Sequence, residues 1–273
     1  MKKKTKNILK YLAMVLIALI CIGPFIWLLL NSFKPLREIT AWPPTILPQT
    51  FTFENYVNAW NVVPFGRYLL NSLFTAGTST LAVVLVSCLA AYSLVVLKSK
   101  LSSIVEVCIL VGLIMPTQIT FIPLFKMCRS FGIIDSYTGL ILPYLSSAFG
   151  VYMMSSFFKM LPLELVDSAR IDGLGEFGIV TRIIMPNAKS GIVTLTIFNF
   201  QQVWKDLFWP LLLINKPELR TVPIGITSFL QMQPRHQGQI LAATIISVIP
   251  LLIGYMFFQK QFVQGTSFSG MKM

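Results

Sequence analysis

The chain has 273 residues, of which 55% are hydrophobic and only 12% are charged, with a mean hydropathy of +0.73. A soluble domain carries about a quarter charged residues, so this composition excludes an ordinary water-soluble protein and indicates several membrane spans. The net charge of +12 does not indicate a nucleic-acid-binding protein, because the basic residues lie in short segments between apolar runs, as in membrane proteins that follow the positive-inside rule.

Six apolar runs are each long enough to cross about 30 Å of hydrocarbon. We predict membrane-spanning helices at residues 11–31, 69–97, 104–125, 138–158, 192–214 and 239–258. The first run is too long for a secretory signal and no convincing cleavage site follows it, so it is predicted to remain as an uncleaved span. Pro116 predicts a kink in the third span.

The segments between the spans define the predicted organisation. Residues 1–10 form a cytoplasmic N-terminus, residues 32–68 a Pro- and aromatic-rich external segment, and residues 69–273 a five-helix core with external loops at 126–137 and 215–237 and a cytoplasmic loop at 159–190. Of the 22 Lys and Arg residues, more fall on the side of the N-terminus than on the other side. This asymmetry predicts that both termini are cytoplasmic.

The sequence contains no recognisable motif for catalysis, metal binding or nucleotide binding. The four cysteines are single, without a CxxC or Cys/His cluster, so neither a disulfide framework nor a metal site is indicated. There is no GxxxxGK[ST] stretch to bind phosphates, and no HExxH or GxSxG motif, which disfavours a membrane enzyme. If the protein pumps a solute, its energy must come from a partner.

The longest polar interruption in the second half of the chain has helix signals of its own. Pro162 and Glu164 suit the first turn of a helix. Gly173 marks a turn, and Leu174, Phe177, Val180 and Ile184 then recur at helical spacing until Pro186. The pattern predicts two short helices joined at a glycine on the membrane surface.

This stretch resembles the EAA loop of ABC-importer permease subunits, in which Glu-Ala-Ala is followed by Gly and then by Ile-x-Leu-Pro. Asp167-Ser168-Ala169, Gly173 and Ile183-Ile184-Met185-Pro186 keep that spacing, with Asp, Ser and Met as departures. Other stretches resemble carbohydrate-type permeases, above all the smaller maltose-type subunit, over about residues 10–270: Asn71-Ser72, Met115-Pro116, Pro123-Leu124, residues 139–143, 204–213, 217–223 and 259–265.

The resemblance implies an all-α integral membrane protein with the type I ABC importer permease fold, six transmembrane helices and both termini cytoplasmic. Such a subunit imports a sugar or oligosaccharide across a bacterial inner membrane, as a multi-pass protein in the lipid bilayer. Its implied partners are a second homologous permease subunit, two ATPase subunits and an extracellular or periplasmic solute-binding protein, with no nucleic acid. The chain itself would bind no cofactor, because ATP and Mg belong to the ATPase subunits.

The resemblance also implies three sets of functional residues. The ATPase-docking coupling loop would use Glu164, Asp167, Ser168, Ala169, Arg170, Asp172 and Gly173. The translocation path would include Trp204, Lys205, Asp206 and Trp209, since ionisable residues in spans usually face a cavity. Contacts with the binding protein would come from Glu218, Arg220, Gln231 and Gln233.

Each set has a plainer interpretation. Asp167 and Arg170, three apart on one helix, can pair with each other rather than with a partner, and the helix pair can be a surface feature without a partner. Lys205 and Asp206 can form a local ion pair or reach toward the interface, and the tryptophans can be interfacial anchors.

Other functions remain open on the sequence alone. An ABC permease for peptides or amino acids keeps the same loop. An ion-coupled secondary transporter would need inverted repeats and several buried midplane charges, which the chain does not show. A purely structural membrane anchor leaves the EAA-like spacing unexplained.

Overall fold

The computed structural model describes residues 2–232 and 236–269, and the side-chain environments of residues 7–232 and 236–259. Within the described ranges every regular element is helical. The α-helices are α1 (Lys2–Ser32), α2 (Leu36–Ile39), α3 (Glu54–Asn61), α4 (Phe65–Tyr92), α5 (Ser102–Ile114), α6 (Phe121–Ser130), α7 (Tyr137–Ile141), α8 (Ala148–Phe158), α9 (Glu164–Ile171), α10 (Glu176–Ile179), α11 (Met185–Asn187), α12 (Lys189–Trp204), α13 (Phe208–Leu213), α14 (Val222–Gln231) and α15 (Gln237–Ser269).

Short π and 3-10 turns extend several of these helices. The π turns are Ser93–Leu97 and Val180–Ile184, and the 3-10 turns are Thr117–Thr120, Leu142–Tyr144 and Pro217–Leu219. The first π turn prolongs α4, and the second joins α10 to α11.

Three stretches in the described part of the chain are long and apolar enough to cross a membrane as single helices: Asn7–Ser32, Phe65–Leu97 and Gln237–Gln259. They agree with the first, second and sixth predicted spans. Two bent helix pairs, Ser102–Ile114 with Thr117–Ser130 and Tyr137–Tyr144 with Ala148–Phe158, raise the count to five if each pair is one span. The count of six spans therefore stays a prediction.

The third predicted span is broken rather than merely kinked. Met115 and Pro116 both have extended backbones, and the helices on either side of them meet at 98°. Pro116 lacks the N–H needed to continue the helical ladder, and it disfavours a helical conformation at Met115. α6 then runs on to Ser130, so the loop predicted at residues 126–137 begins only at Phe131.

The fifth predicted span, 192–214, is also not one helix. α12 ends at Trp204 and α13 begins at Phe208, so Lys205 and Asp206 lie at a break rather than within a helix. The Asp206 carboxylate accepts a hydrogen bond from the Phe208 amide at 2.9 Å. An aspartate in this position satisfies a free N–H at a helix start, which explains why the chain starts a new helix there.

The chain divides into two compact units. The first comprises residues 1–66 and 225–250. In its external segment the Asn55 amide donates to the carbonyls of Ser32 and Lys34, both at 2.8 Å. Glu38 accepts hydrogen bonds from the Gln49 amide and the Thr45 hydroxyl, and the Gln49 bond is the main reason that its pKa lies below the usual value. Buried polar contacts thus organise a segment that contains only short helices.

The second unit comprises residues 67–224 and 251–273. It contains two clusters of buried apolar side chains. One joins α4 and α8 to the predicted coupling loop; its most buried members include Val83, Met154, Phe158, Ile179 and Ile184. The other contains Cys128, Leu140, Trp209, Leu213, Ile214 and Ile224. The first cluster is what fixes the loop to the helical core.

Candidate functional site

The predicted coupling loop is a helix–turn–helix, as its sequence indicates. After α9, Gly173 has a left-handed backbone with φ +80°, its amide bonds the Arg170 carbonyl, and the Leu174 amide bonds the Ala169 carbonyl, both at 3.0 Å. This pair of bonds is a Schellman motif, which needs a left-handed residue after the helix. A Cβ at Gly173 would meet no atom within 4 Å, so glycine is required for its backbone angle and not for space.

The inner face of this loop is part of the protein core. Val166 is 1% exposed and Ala169 is 5% exposed, and both pack in the cluster with Tyr92 and Ile179. Ala169 was expected at the ATPase-docking surface. Its small side chain instead lets α9 lie against the core, so it is a packing residue in this structure.

The outer face carries two large apolar side chains, of which the sequence pattern indicates Phe177 only by its helical spacing and does not indicate Ile171. Ile171 is 87% exposed and Phe177 is 72% exposed. They flank the turn at Gly173, together with exposed polar residues from the predicted set: Glu164, Asp167, Ser168, Arg170 and Asp172. Exposed apolar side chains rimmed by polar residues are typical of protein–protein contact sites.

Charged side chains tie the two helices of the loop together. Arg170 donates to both oxygens of Glu176, with Nε–Oε1 at 3.0 Å and Nη2–Oε2 at 3.3 Å. The two-pronged contact lowers the pKa of Glu176 and raises that of Arg170. Arg170 also lies 3.5 Å from Asp167, so the pairing within α9 considered from the sequence is present.

The loop is bonded to the second span as well. The Tyr92 hydroxyl donates a hydrogen bond to the Glu176 carboxylate. Tyr92 is the last residue of α4 and is 3% exposed, so its position is fixed by the core. Glu176 therefore links the loop to the end of α4. Sequence reasoning missed it, because the partners are 84 residues apart.

The predicted translocation residues lie around the break between α12 and α13. Trp209 is 1% exposed, packs in the second apolar cluster and donates its indole N–H to the Gly139 carbonyl at 3.1 Å. Trp204 is 4% exposed and stacks on Phe200, with ring centroids 5.7 Å apart. Both tryptophans are thus buried in packing contacts, and their place in the translocation path stays a prediction.

The two charged members of this set have different environments. The Tyr144 hydroxyl donates to the Asp206 carboxylate, which also accepts from the Phe208 amide, so Asp206 has partners of its own. Lys205 is exposed. Lys205 and Asp206 do not form an ion pair with each other in the part of the chain that the structure describes.

The first part of the predicted binding-protein loop, residues 215–222, is held by polar contacts. Asn71 donates to the carbonyls of Glu218 and Arg220 at 2.8 and 2.9 Å, while its own oxygen accepts from Tyr137 at 2.6 Å. The Val222 amide donates to the Ser72 hydroxyl at 2.8 Å. Asn71-Ser72 entered the sequence analysis only as a resemblance, and the structure gives the pair a role in fixing this loop.

The first two residues of the loop are fixed by Asp135. Its carboxylate accepts hydrogen bonds from the amides of Asn215 and Lys216. Burial alone would raise the pKa of the Asp135 carboxyl, because it disfavours the charged form. The hydrogen bonds from the two backbone amides together outweigh this effect, so the pKa is lowered. The Glu218 side chain is exposed and Gln231 is exposed at the end of α14, whereas Gln233 lies outside the described residues.

The fold and these surfaces define a helical membrane protein that crosses the bilayer several times and presents a structured loop with an apolar outer face. Residues 83–268 match the profile of the family described as binding-protein-dependent transport system inner membrane component. The chain belongs to this family.

Curated relatives match almost the whole chain. It is 31% identical over 261 residues to the arabinooligosaccharides transport system permease protein AraQ of Bacillus subtilis (strain 168), covering 94% of this chain and 93% of that protein. It is 32% identical over 266 residues to the sulfoquinovosyl glycerol transport system permease protein SmoH of Agrobacterium fabrum (strain C58 / ATCC 33970), covering 97% and 93%. Both relatives are permease subunits.

Solved structures share the fold. A chain in the crystal structure of a bacterial ABC transporter involved in the import of the acidic polysaccharide alginate matches with a TM-score of 0.85 and 19% identity, covering 96% of this chain and 98% of that one. A chain of the bacterial alginate ABC transporter in complex with an alginate pentasaccharide-bound periplasmic protein matches with a TM-score of 0.64 and 17% identity, covering 93% and 94%. This chain therefore shares its fold with a chain of an ABC importer.

Proposed function

We propose that this chain is the permease subunit of an ABC importer for a sugar or oligosaccharide. The sugar assignment rests on the solutes named for two similar proteins, AraQ for arabinooligosaccharides and SmoH for sulfoquinovosyl glycerol, and on the fold shared with the alginate transporter. These names favour a glycan-type solute over a peptide or amino acid.

The proposed assembly follows from the family. The chain pairs with a second homologous permease subunit in a bacterial inner membrane, and an external solute-binding protein delivers the sugar. The alginate transporter bound to its periplasmic protein supports this arrangement. We propose six spans with both termini in the cytoplasm, so that residues 32–68 and 215–237 are external and residues 159–190 are cytoplasmic.

The ATPase-docking role of residues 159–190 rests on the shape and chemistry of the loop. Its inner face is fixed to the core, and the Schellman turn at Gly173 brings Ile171 and Phe177 to the outside. A loop that is rigid toward its own spans and apolar toward solvent is suited to transmit the movement of an ATPase subunit. ATP and Mg bind the ATPase subunits, and Glu164, Asp167, Ser168 and Asp172 form the polar rim of the contact.

Two further surfaces complete the proposal. Lys205, exposed at the break between α12 and α13, lines the translocation path, and Trp204, Asp206 and Trp209 hold that break in shape. The external loop uses the exposed side chains of Glu218 and Gln231 to contact the binding protein, with Arg220 and Gln233 as further members of that surface.

The test is co-purification of the whole complex, followed by an ATPase assay with sugar-loaded binding protein. Ile171→Asp places a charge in the apolar contact and should release the ATPase subunits while the second permease remains bound. Ile46→Asp is a matched control, since Ile46 is 69% exposed but lies in the external segment. Equal loss of the ATPase in both variants, or full retention in Ile171→Asp, would contradict the docking role.

The same preparation tests the solute class. Binding protein loaded with an oligosaccharide should stimulate ATP hydrolysis, and binding protein loaded with a peptide should not. Solute uptake that follows an ion gradient without ATP would overturn the ABC assignment itself.

A further inference from the structure

Two adjoining hollows lie beside the junction of α4 and α5, in the second unit, and no motif in the sequence points to them. The larger has a volume of about 450 Å³ and the smaller of about 200 Å³. Leu94, Glu106 and Lys159 line both of them. Leu94 and Glu106 lie outside the surfaces described above, whereas Lys159 begins the loop at residues 159–190, which also contributes Leu161 and Leu163 to the larger hollow.

The larger hollow has a mixed lining, in which the polar groups carry an excess of positive charge and the apolar side chains are Leu94, Val95, Phe158, Leu161 and Leu163. Lys159 Nζ lies 3.0 Å from Glu106 Oε1, so these two charges balance each other. Lys98, the remaining charged residue of the lining, forms no ion pair with any residue that the structure describes. The hydroxyl groups of Ser99, Ser102 and Ser103 complete the polar lining.

Two local features suit this hollow to an anion. Ser102 and Ser103 open α5; the Ser102 amide bonds the Ser99 carbonyl, and no side chain caps the N–H groups that follow it. Such free N–H groups attract negative charge. Lys98 has a left-handed backbone, with φ 45°. Residues with long side chains rarely adopt this conformation, and glycine or asparagine is usual at such a position.

The smaller hollow is mainly apolar. Ile109, Leu110 and Tyr152 line it between α5 and α8. Ser155 is 6% exposed, lines the same hollow, and its hydroxyl has no hydrogen-bond partner among the described residues. A buried unpaired hydroxyl is unfavourable unless another molecule bonds it, so this side also indicates an occupant.

We propose that the two hollows together bind an anionic phospholipid of the cytoplasmic leaflet. The phosphate lies between Lys98 and the serines that open α5, a polar group of the glycerol backbone bonds Ser155, and an acyl chain follows Ile109 and Leu110. The leaflet assignment rests on the proposed topology, which places Lys98 at the cytoplasmic end of the second span.

An amphiphile fits better than a free anion, because the charged and hydroxyl groups of the larger hollow are accompanied by apolar side chains and adjoin a mainly apolar hollow along two membrane helices. Basic pockets between helices at the cytoplasmic face are a recognised type of lipid-headgroup site. The α5 surface around the hollows is also apolar and exposed, with Ile104 60% and Val107 58% exposed, as expected of a helix in contact with lipid.

The test uses native mass spectrometry of the purified whole complex, titrated in detergent with phosphatidylglycerol, phosphatidylcholine or inorganic phosphate. Phosphatidylglycerol should bind saturably and phosphatidylcholine should not.

Lys98→Gln should weaken binding about fivefold, since a lysine near an anionic headgroup contributes about 1 kcal/mol. Glu106→Gln should strengthen binding, because it removes a negative charge and leaves Lys159 free. Lys100→Gln, which removes the same charge two residues away from Lys98 and outside the lining, should have no effect.

Several results would overturn the proposal. Equal weakening by Lys98→Gln and Lys100→Gln would indicate general surface charge. Displacement of the lipid by inorganic phosphate would indicate a free-anion site, and cross-linking of Leu110→Cys to the second permease would indicate a protein partner. These measurements detect lipid binding and not transport. A negative result would therefore exclude the lipid site without contradicting the proposed importer function. The topology is tested separately with Lys100→Cys, in a chain whose four native cysteines are replaced by alanine. If a thiol reagent added outside the cell labels this cysteine, the site does not lie in the cytoplasmic leaflet.

Discussion

The Tyr92 hydroxyl donates a hydrogen bond to the Glu176 carboxylate, and this single contact joins the end of the second span to the loop that we propose docks the ATPase. Glu176 is held on its other side by Arg170. We therefore expect a movement of the loop to reach α4 through a directional polar bond as well as through apolar packing.

The first prediction concerns that bond. Tyr92→Phe removes the hydroxyl and should leave the ATPase bound but reduce the stimulation of ATP hydrolysis by sugar-loaded binding protein, with a fall of a few degrees in Tm. The measurement is the ratio of stimulated to basal ATPase activity in the reconstituted complex. Tyr11→Phe is the control, because Tyr11 lies far along α1 and is 67% exposed. An unchanged ratio in Tyr92→Phe would show that packing alone transmits the movement.

The second prediction concerns the turn at Gly173. Gly173→Ala should destabilise the loop by about 1–2 kcal/mol, because a Cβ is disfavoured in the left-handed conformation. The expected result is weaker retention of the ATPase subunits on co-purification. Gly175→Ala is a close control: its φ is −72° and a Cβ there would also meet no atom within 4 Å. Equal effects of both substitutions would rule out backbone conformation as the cause.

The third prediction concerns close helix packing. A Cβ at Gly191 in α12 would lie 2.6 Å from Cγ of Phe157 in α8, near the rigid base of the ring. Gly191→Ala should therefore lower stability by about 1–3 kcal/mol, the usual effect of overpacking. Gly178→Ala serves for comparison, since its new Cβ would make only ordinary contacts at 3.7 Å or more. Thermal unfolding of the purified complex measures both, and a neutral Gly191→Ala would show that the two helices can separate at no cost.

The fourth prediction concerns acid stability. The pKa of Asp135 is lowered in the fold, so its bonds to the Asn215 and Lys216 amides contribute stability above the usual pKa of 3.8, and this contribution is lost as pH falls through the lowered value. Asp135→Asn should lower Tm at pH 7, and the difference from wild type should disappear at a pH below the lowered pKa. Asn suits the left-handed backbone at this position, where φ is 54°. A difference that is constant with pH would contradict the assignment.

The fifth prediction concerns the external loop. Asn71→Asp replaces two donated hydrogen bonds with an acceptor that faces the carbonyls of Glu218 and Arg220. The loop should detach, and stimulation by the binding protein should be lost before ATPase binding is affected. Limited proteolysis between residues 215 and 222 should become faster. Asn58→Asp, in the external segment, controls for added negative charge; a loop that stays resistant in Asn71→Asp would refute the anchoring role.

Much of the architecture could be predicted because its signals are local. Apolar runs located the three long helices, and Gly173 with the flanking periodicity located the turn of the coupling loop. Pro116 correctly predicted a disruption, but not its size, since the 98° bend also depends on how α6 packs after the break. The break at Lys205 and Asp206 was not predicted, because the apolar run around it is long enough for one span and gives no sign that a second helix begins there.

The contacts that organise the sites could not be predicted, because they join residues distant in the chain. Asn71 and Glu218 are 147 residues apart, and Glu106 and Lys159 are 53 apart. A single sequence contains no record of such pairs. Burial was equally hidden: Ala169 and Ile171 are two residues apart on one helix, yet one packs in the core and the other is exposed to solvent.

The break at Met115 and Pro116 also bears on how the protein enters the membrane. α5 has 13 residues, and a helix of that length is about 20 Å long, short of the roughly 30 Å that a bilayer core requires. A nascent chain that ends soon after Ser130 thus lacks a segment able to hold this region stably in lipid. α8, which packs against α5, is synthesised later. Integration of the middle of the protein therefore depends on downstream sequence, and chains truncated before α8 should insert α1 and α4 but hold residues 102–130 poorly in the membrane.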